Sequence, residues 1–209
     1  MAEQLSLLCE QPPPGTVRVK VSAKNMRLRF HPCDPEYIKN VCHSRCCDAP
    51  WHPQGILVAI HPKEQAVQEA AVAVGAKVGS DGLLQPREGE RLCPFKHKGN
   101  HLCTLHFTDH KPAECIWYPF TFNKNGTLIV RNRQKQLVCF KDRGPEDKEP
   151  VEAYKAYRTS LVLMFGGAEA ERIAAHLDAG GGDLYAYARQ SVLTMLGENN
   201  ERIQAGRAK

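Results

Sequence analysis

The sequence predicts an α+β protein: a cysteine-rich module of strands and loops that binds a metal, followed by a C-terminal helical segment. Three observations carry that expectation. Eight of the nine cysteines lie between Cys33 and Cys139, and none follows Cys139. Apolar residues before Cys139 fall largely in short period-two runs, whereas those beyond residue 148 recur at helical spacing. Between the two regimes runs Arg143-Gly144-Pro145-Glu146-Asp147-Lys148-Glu149-Pro150, polar and closed by proline. The module is therefore expected over residues 1–142, with its cluster core over about 30–140, and the helical segment over 148–209, packed back on the module.

Each element follows in order. Gln11-Pro12-Pro13-Pro14-Gly15 is a stiff, extended lead-in. Val17, Val19 and Val21 alternate with Arg18, Lys20 and Ser22, and Met26, Leu28 and Phe30 alternate with Arg27, Arg29 and His31, which predicts a hairpin turning at Ala23-Lys24-Asn25. Cys33 to Cys47 has no period and reads as a ligand-bearing loop. Ile56 to Ile60 reads as a short strand, and Ala66, Val67, Ala70, Ala71 and Val74 predict a helix over 63–74 that stops near Gly75. Gly79 to Gly89 is turn-rich. Leu92 to Cys115 is a second Cys/His-rich stretch. Trp117–Phe122 and Thr127–Val130 flank Asn125-Gly126, a hairpin signal, with a third strand expected at Leu137–Phe140. Helices are expected over Val151–Phe165, Ala168–Leu177 and Leu184–Leu196, the last capped by Asp183.

Composition narrows the classes. The chain has 209 residues, 42% hydrophobic and 24% charged, enough for a sizeable core. Its net charge of +5 admits an acidic partner without requiring one. No run of about 18 apolar residues occurs, so no membrane span is expected. Met1–Glu10 holds Leu5, Leu7 and Leu8 without a basic flank or small-residue cleavage site, so no targeting segment is expected and the cytoplasm is the expected compartment. Thiols stay reduced there, and an odd count of nine in a chain this long reads as metal ligation rather than a disulfide framework.

A tetrahedral site needs about four soft ligands converging on one point. Cys42 and Cys46 come from one loop at low closure cost, and Cys93 and Cys103 are the natural second pair. Adjacent side chains diverge, so Cys46 and Cys47 are expected to serve a cluster of several metal atoms or two different places. The candidate ligands are Cys33, Cys42, Cys46, Cys47, Cys93, Cys103, Cys115 and Cys139; Cys9 reads as a lone thiol. The spacing does not fit a two-Cys, two-His finger, a C-x3-C-x2-C loop or a ferredoxin run. Zinc and an iron–sulfur cluster both suit thiolate sites, and spacing leaves that choice open.

Leu92-Cys93-Pro94-Phe95, then Cys103-Thr104-Leu105-His106, then Lys111-Pro112-Ala113-Glu114-Cys115-Ile116-Trp117-Tyr118-Pro119-Phe120 resemble the YkgJ-type cysteine-cluster family. That family's pattern runs C-P-F, C-x-I/L-Y/H and R-P-x-x-C-x-x-Y/F-P, after an upstream C-x2-C-x2-C-C. Here Cys46-Cys47 match the final pair, Lys111 stands for the usual Arg, and the gaps before Cys42 and Cys46 are wider. The resemblance spans about residues 30–140 and implies a zinc- or iron-chelating domain; some related clusters hold an iron–sulfur centre.

Eight of nine histidines lie between His31 and His110, so a mixed site is conceivable, with His43 and His106 the best candidates and partners to ligands the commoner role. Trp117, Tyr118 and Phe120 read as core rather than base-stacking residues. Arg18, Lys20, Lys24, Arg27 and Arg29, and then Lys124, Arg131, Arg133 and Lys135, are either solvated strand faces or a phosphate-binding surface. They would also offset a thiolate cluster's charge.

With no phosphate loop and no H-E-x-x-H, the leading expectation is a metal-binding protein of structural or accessory role with an unidentified protein partner. An iron–sulfur enzyme modifying a protein or nucleic acid is the first alternative, and a nucleic-acid-binding zinc module the second. Whether the chain catalyses anything is left open.

Overall fold

The computed structural model describes residues 12–47, 58–85, 87–90, 92–105, 108, 111–140 and 149–207. In chain order its elements are β1 (Thr16–Val21), α1 (Ala23–Met26), β2 (Arg29–Phe30), α2 (Pro35–Tyr37), a π-helical turn (Ile38–Cys42), a 3-10 turn (Arg45–Cys47), α3 (Gln65–Ala73), β3 (Lys77–Val78) and β4 (Leu84–Gln85). There follow α4 (Ala113–Ile116), β5 (Phe120–Phe122), β6 (Thr127–Val130), a second 3-10 turn (Asn132–Gln136), β7 (Val151–Glu152), α5 (Ala153–Ala156), α6 (Arg158–Phe165), α7 (Gly167–Asp178), β8 (Leu184–Arg189) and α8 (Gln190–Arg207). The protein is α+β, as the sequence predicts. No helix among the described residues is long and apolar enough to cross a membrane.

The chain divides into two compact units, the described parts of Met1–Pro32 with Trp117–Thr194, and of Cys33–Ile116 with Met195–Lys209. The boundary expected at 142–148 falls within the first unit by this division, and residues 141–148 lie outside the described residues. Strand pairing explains why the ends of the sequence join. The first unit's sheet runs β5-β6-β1-β8. β1 is antiparallel to β8 over its full length, from Thr16↔Arg189 to Val21↔Leu184, and parallel to β6. A parallel pair needs a crossover connection, and here that connection contains seven of the eight candidate cysteines, Cys33 through Cys115.

β1 alternates as expected: Val19 and Val21 are buried, and Arg18 and Lys20 occupy the other face. β8 corrects the helix expected over Leu184–Leu196. Leu184, Ala186 and Ala188 are buried, while Tyr185, Tyr187 and Arg189 are not, a period of two that matches the β1 ladder. Helix propensity in Ala and Leu amounts to only tenths of a kcal/mol per residue and yields to that pairing. The helix begins afterwards, at Gln190. Asp183 caps no helix of its own; it accepts from the Ala23 amide at 2.9 Å and pairs with Lys20 at 3.0 Å.

The hairpin expected between β1 and Met26–Phe30 does not form. The Ser22 hydroxyl accepts from Asn25 Nδ2 at 3.1 Å and stands at the start of α1, turning the chain into a helical turn instead. β2 then pairs with β7, so Val151 and Glu152 leave the expected helix, which breaks again at Tyr157 (φ −119°, ψ 38°) between α5 and α6. The helix expected at Ala168–Leu177 forms as α7. Leu161, Met164, Phe165, Ile173 and Leu177 of α6 and α7 are buried. Arg27 donates to the carbonyls of Leu177 and Gly181, satisfying the end of α7.

The β5–β6 hairpin forms as expected. The Asn123 side chain accepts from the amides of Asn125 and Thr127, and Gly126 takes φ +68°. The strand expected at Leu137–Phe140 reduces to a single bridge between Phe140 and Phe30, because these residues form a turn of their own, closed by Phe140 N–H to Leu137 O at 3.1 Å.

In the second unit α3 forms the helix expected there. It ends in a Schellman motif: Gly75 (φ +72°) donates to Val72, and Ala76 donates back to Ala71, each at 2.9 Å. Of the strand expected at Ile56–Ile60, residues 56 and 57 lie outside the described residues, and Ala59 bridges Leu83. The unit's core is Ile60, Val67, Ala71, Ala76, Leu84, Cys93, Phe95 and Leu105, with Cys47 and Cys103 packed against it. A core of this composition places thiols directly on an apolar floor.

Candidate metal centre

Three segments of the second unit carry the thiols. In the first, Asp34 caps α2 by accepting from the Tyr37 amide at 2.8 Å, with Pro35 pre-set for the first turn. The helix widens into the π turn, closed by His43 N–H to Ile38 O at 2.7 Å. His43 (φ +52°) and Ser44 (φ +49°) then take left-handed conformations, which cost side-chain-bearing residues roughly 1–2 kcal/mol each. The Cys47 amide donates to Ser44 O at 2.8 Å. Cys42, Cys46 and Cys47 thus sit on one tight turn.

The second segment holds the first in place. Ser44 Oγ donates to His101 O at 2.6 Å, and the His43 and His101 rings stack with centroids 4.5 Å apart. His101 (φ +61°) completes the set: all three left-handed non-glycine residues among the described residues lie at this contact. Lys98-Gly99-Asn100 forms a turn, as its sequence suggests, with Lys96 bridged to Cys103 and His97 N–H bonded to Leu102 O. Both Cys93 and Cys103 flank this turn. The third segment is α4, which bears Cys115; its Ala113 amide donates to Glu64 Oε1 at 2.6 Å.

Electrostatics link the thiols from all three segments. The Cys46 and Cys47 sulfurs are 3.8 Å apart. The S–H···S bond with Cys47 lowers the Cys46 thiol to about 7 against the opposing effect of burial, aided by the Lys111 and Lys96 ammoniums. The same bond, then burial and the charges of Cys46, Cys93 and Cys115, hold Cys47 well above the ordinary thiol range. Burial pushes Cys93 up to about 12, with Cys103 and Cys46 adding to the rise. Burial likewise raises Cys103, Cys115 and Cys42; Cys46 adds to the rise at Cys103 and Cys42, and Cys93 and Cys103 add to it at Cys115. Cys46 is exposed as a residue, yet its sulfur is the neighbour that recurs around the group. Lys96, 8% exposed, lies beside these thiols and favours the ionised forms of Cys42, Cys46 and Cys93.

Of the eight candidate ligands, the fold thus brings six into one electrostatic neighbourhood: Cys42, Cys46, Cys47, Cys93, Cys103 and Cys115. Cys33 is exposed just ahead of the Asp34 cap. Cys139 is buried in the first unit, where its carbonyl accepts from the His31 amide. Neither is among the leading electrostatic neighbours of the six. His43 packs on His101, and His106 and Cys9 lie outside the described residues. Trp117 and Phe120 are core, as expected. Lys96 and Lys111, which the sequence places beside Phe95 and Pro112, are the cations that favour ionisation of these thiols.

The donor set suits a thiolate-preferring ion. Two sulfurs bound at about 2.3 Å to one tetrahedral metal stand about 3.8 Å apart, the separation found for Cys46 and Cys47, so these neighbours need not diverge. Among the described residues, however, no three His, Cys, Asp or Glu side chains are gathered closely enough to enclose an ion. No family model, no curated protein and no solved structure matches this chain.

Proposed function

We propose that the chain is a metal-binding cysteine-cluster protein of the YkgJ type, in which zinc or an iron–sulfur cluster organises a module for contact with a protein partner in the cytoplasm. One observation carries this reading. Six thiols on three separate segments act on one another's ionisation beside an apolar core, and for all but Cys46 burial and neighbouring thiols oppose ionisation. A soft cation relieves that opposition, because it replaces the protons and neutralises the thiolates together. Cys42, Cys46, Cys47, Cys93, Cys103 and Cys115 are the residues that would hold it. Bound zinc would cross-link the three segments, and an iron–sulfur centre would add electron transfer.

Metal analysis with an absorption spectrum, on protein purified without air, tests the reading. Iron with sulfide and a broad visible band identifies an iron–sulfur centre and turns attention to enzymatic chemistry. Colourless protein with about one or two zinc ions identifies a structural module. Absence of both metals overturns the proposal.

A further inference from the structure

The open face of the first unit's sheet carries a second, separate feature. Direct partners in an antiparallel ladder point the same way. The pairs Lys20↔Tyr185 and Arg18↔Tyr187 therefore stand together on the face opposite buried Val19, Val21, Ala186 and Ala188. Thr127, paired with Lys20 across the parallel register, joins them. A shallow groove crosses this face, lined by Arg18, Lys20, Phe122, Asn125, Thr127 and Tyr185 among others, with no acidic side chain among its lining residues. Lys124 is exposed in the same hairpin loop as Asn125.

Two details point to a ligand. The Arg18 guanidinium lies 4.0 Å over the Tyr185 ring, and its buried Nε has no hydrogen-bond partner among the described residues. A guanidinium pairs strongly with an anionic oxygen, through planar donors that a phosphate matches. Tyr185 is 44% exposed, one of only two large hydrophobic side chains so exposed among the described residues. A phosphate held by Arg18, and by Lys20 in exchange for its exposed ion pair with Asp183, together with a planar group on Tyr185, makes the two halves of a nucleotide. An unpaired strand offers both, whereas a duplex keeps its base faces stacked.

Three arginines of the same basic stretches are engaged elsewhere. Arg27 is spent on the end of α7, Arg29 on the Pro150 carbonyl and Arg131 on the Phe120 carbonyl. We propose that the groove over β1, β6 and β8 binds single-stranded nucleic acid, with Tyr185 stacking a base and Arg18 and Lys20 holding the backbone. This goes beyond the metal-binding reading and does not depend on it, since none of the thiols in the cluster lines the groove.

The test is fluorescence anisotropy of the full chain with labelled single-stranded RNA and DNA of about twelve nucleotides. Binding that weakens as salt rises is expected, with Tyr185→Ala losing about fivefold or more in affinity. Arg18→Lys, which keeps the charge but loses the planar fork, is expected to weaken binding as well, and Lys39→Ala in the second unit to leave it unchanged. Circular dichroism establishes that each variant is folded. The proposal is overturned by no binding at low salt, by equal affinity in folded Tyr185→Ala, or by duplex DNA binding as tightly as the single strand.

Discussion

The two units differ in the length of their strands and in the thiols at their cores. In the first, a six-residue ladder joins β1 to β8 and the buried residues are almost all aliphatic or aromatic. In the second, the strands are only two residues long, the longer helices are α3 and the part of α8 from Met195 onward, and the core ends in Cys93 with Cys47 and Cys103 against it. Where regular structure is scarce, side-chain cross-links substitute for it. The first unit should therefore answer to packing and the second to the state of its thiols.

The largest test separates them by removing thiols. Cys46→Ser and Cys93→Ser are expected to release metal and unfold the second unit, since a structural zinc contributes on the order of 10 kcal/mol. Metal content read beside amide exchange should show α3 losing protection while β1 and β8 keep theirs. Retention of full metal in both variants would make the ligand assignment wrong; equal loss of protection in the sheet would abolish the distinction between the units.

Packing is the converse test. Phe30 is fully buried, with its ring 5.4 Å from Phe140 and 5.6 Å from Tyr157. Phe30→Ala is expected to cost about 3–5 kcal/mol in chemical denaturation. Metal content should stay unchanged. A variant that lost both together would show that the first unit's packing sets the second unit's site.

What the sequence revealed follows the same division. Periodicity was readable where one residue alternates clearly with the next, as in Val17–Val21 and the hairpin at Asn125-Gly126. It misled at Leu184–Arg189, because Leu, Ala and Tyr at adjacent positions satisfy a helical count as well as a strand count. Only the presence of β1 as a partner decides between them, and that partner is more than 160 residues away in the sequence. The cysteine segments had no period to read. Their convergence depends on the left-handed turn at His43 and Ser44 and on its bond to His101 O, neither of which spacing encodes. Residue type alone pointed to eight thiols, and offered no means of setting Cys139, which lies in the other unit, apart from the rest.

The smallest effect is also the most sharply signed. Glu169 lies in the first turn of α7. Its carboxylate accepts two bonds from Arg172, at 2.8 and 2.7 Å, and one from the Tyr187 amide at 2.7 Å, tying the helix to β8. Burial pushes its carboxyl up, but these bonds outweigh burial and hold it below the usual carboxylate range. A depressed folded value means that the contribution is complete above the unfolded value of 4.5 and is lost as pH falls through the folded one. Glu169→Gln is accordingly expected to cost about 1.5–3 kcal/mol at neutral pH. The difference from the parent should hold steady down to about pH 5 and close below it. Exchange of the β8 amides is the right readout, because acid also protonates thiolates and would loosen the second unit for its own reasons. If the gap in β8 protection persisted undiminished at about pH 2, the carboxylate's charge would not be what joins α7 to β8, and the first unit's hold on that strand would rest on apolar packing and the β1 ladder alone.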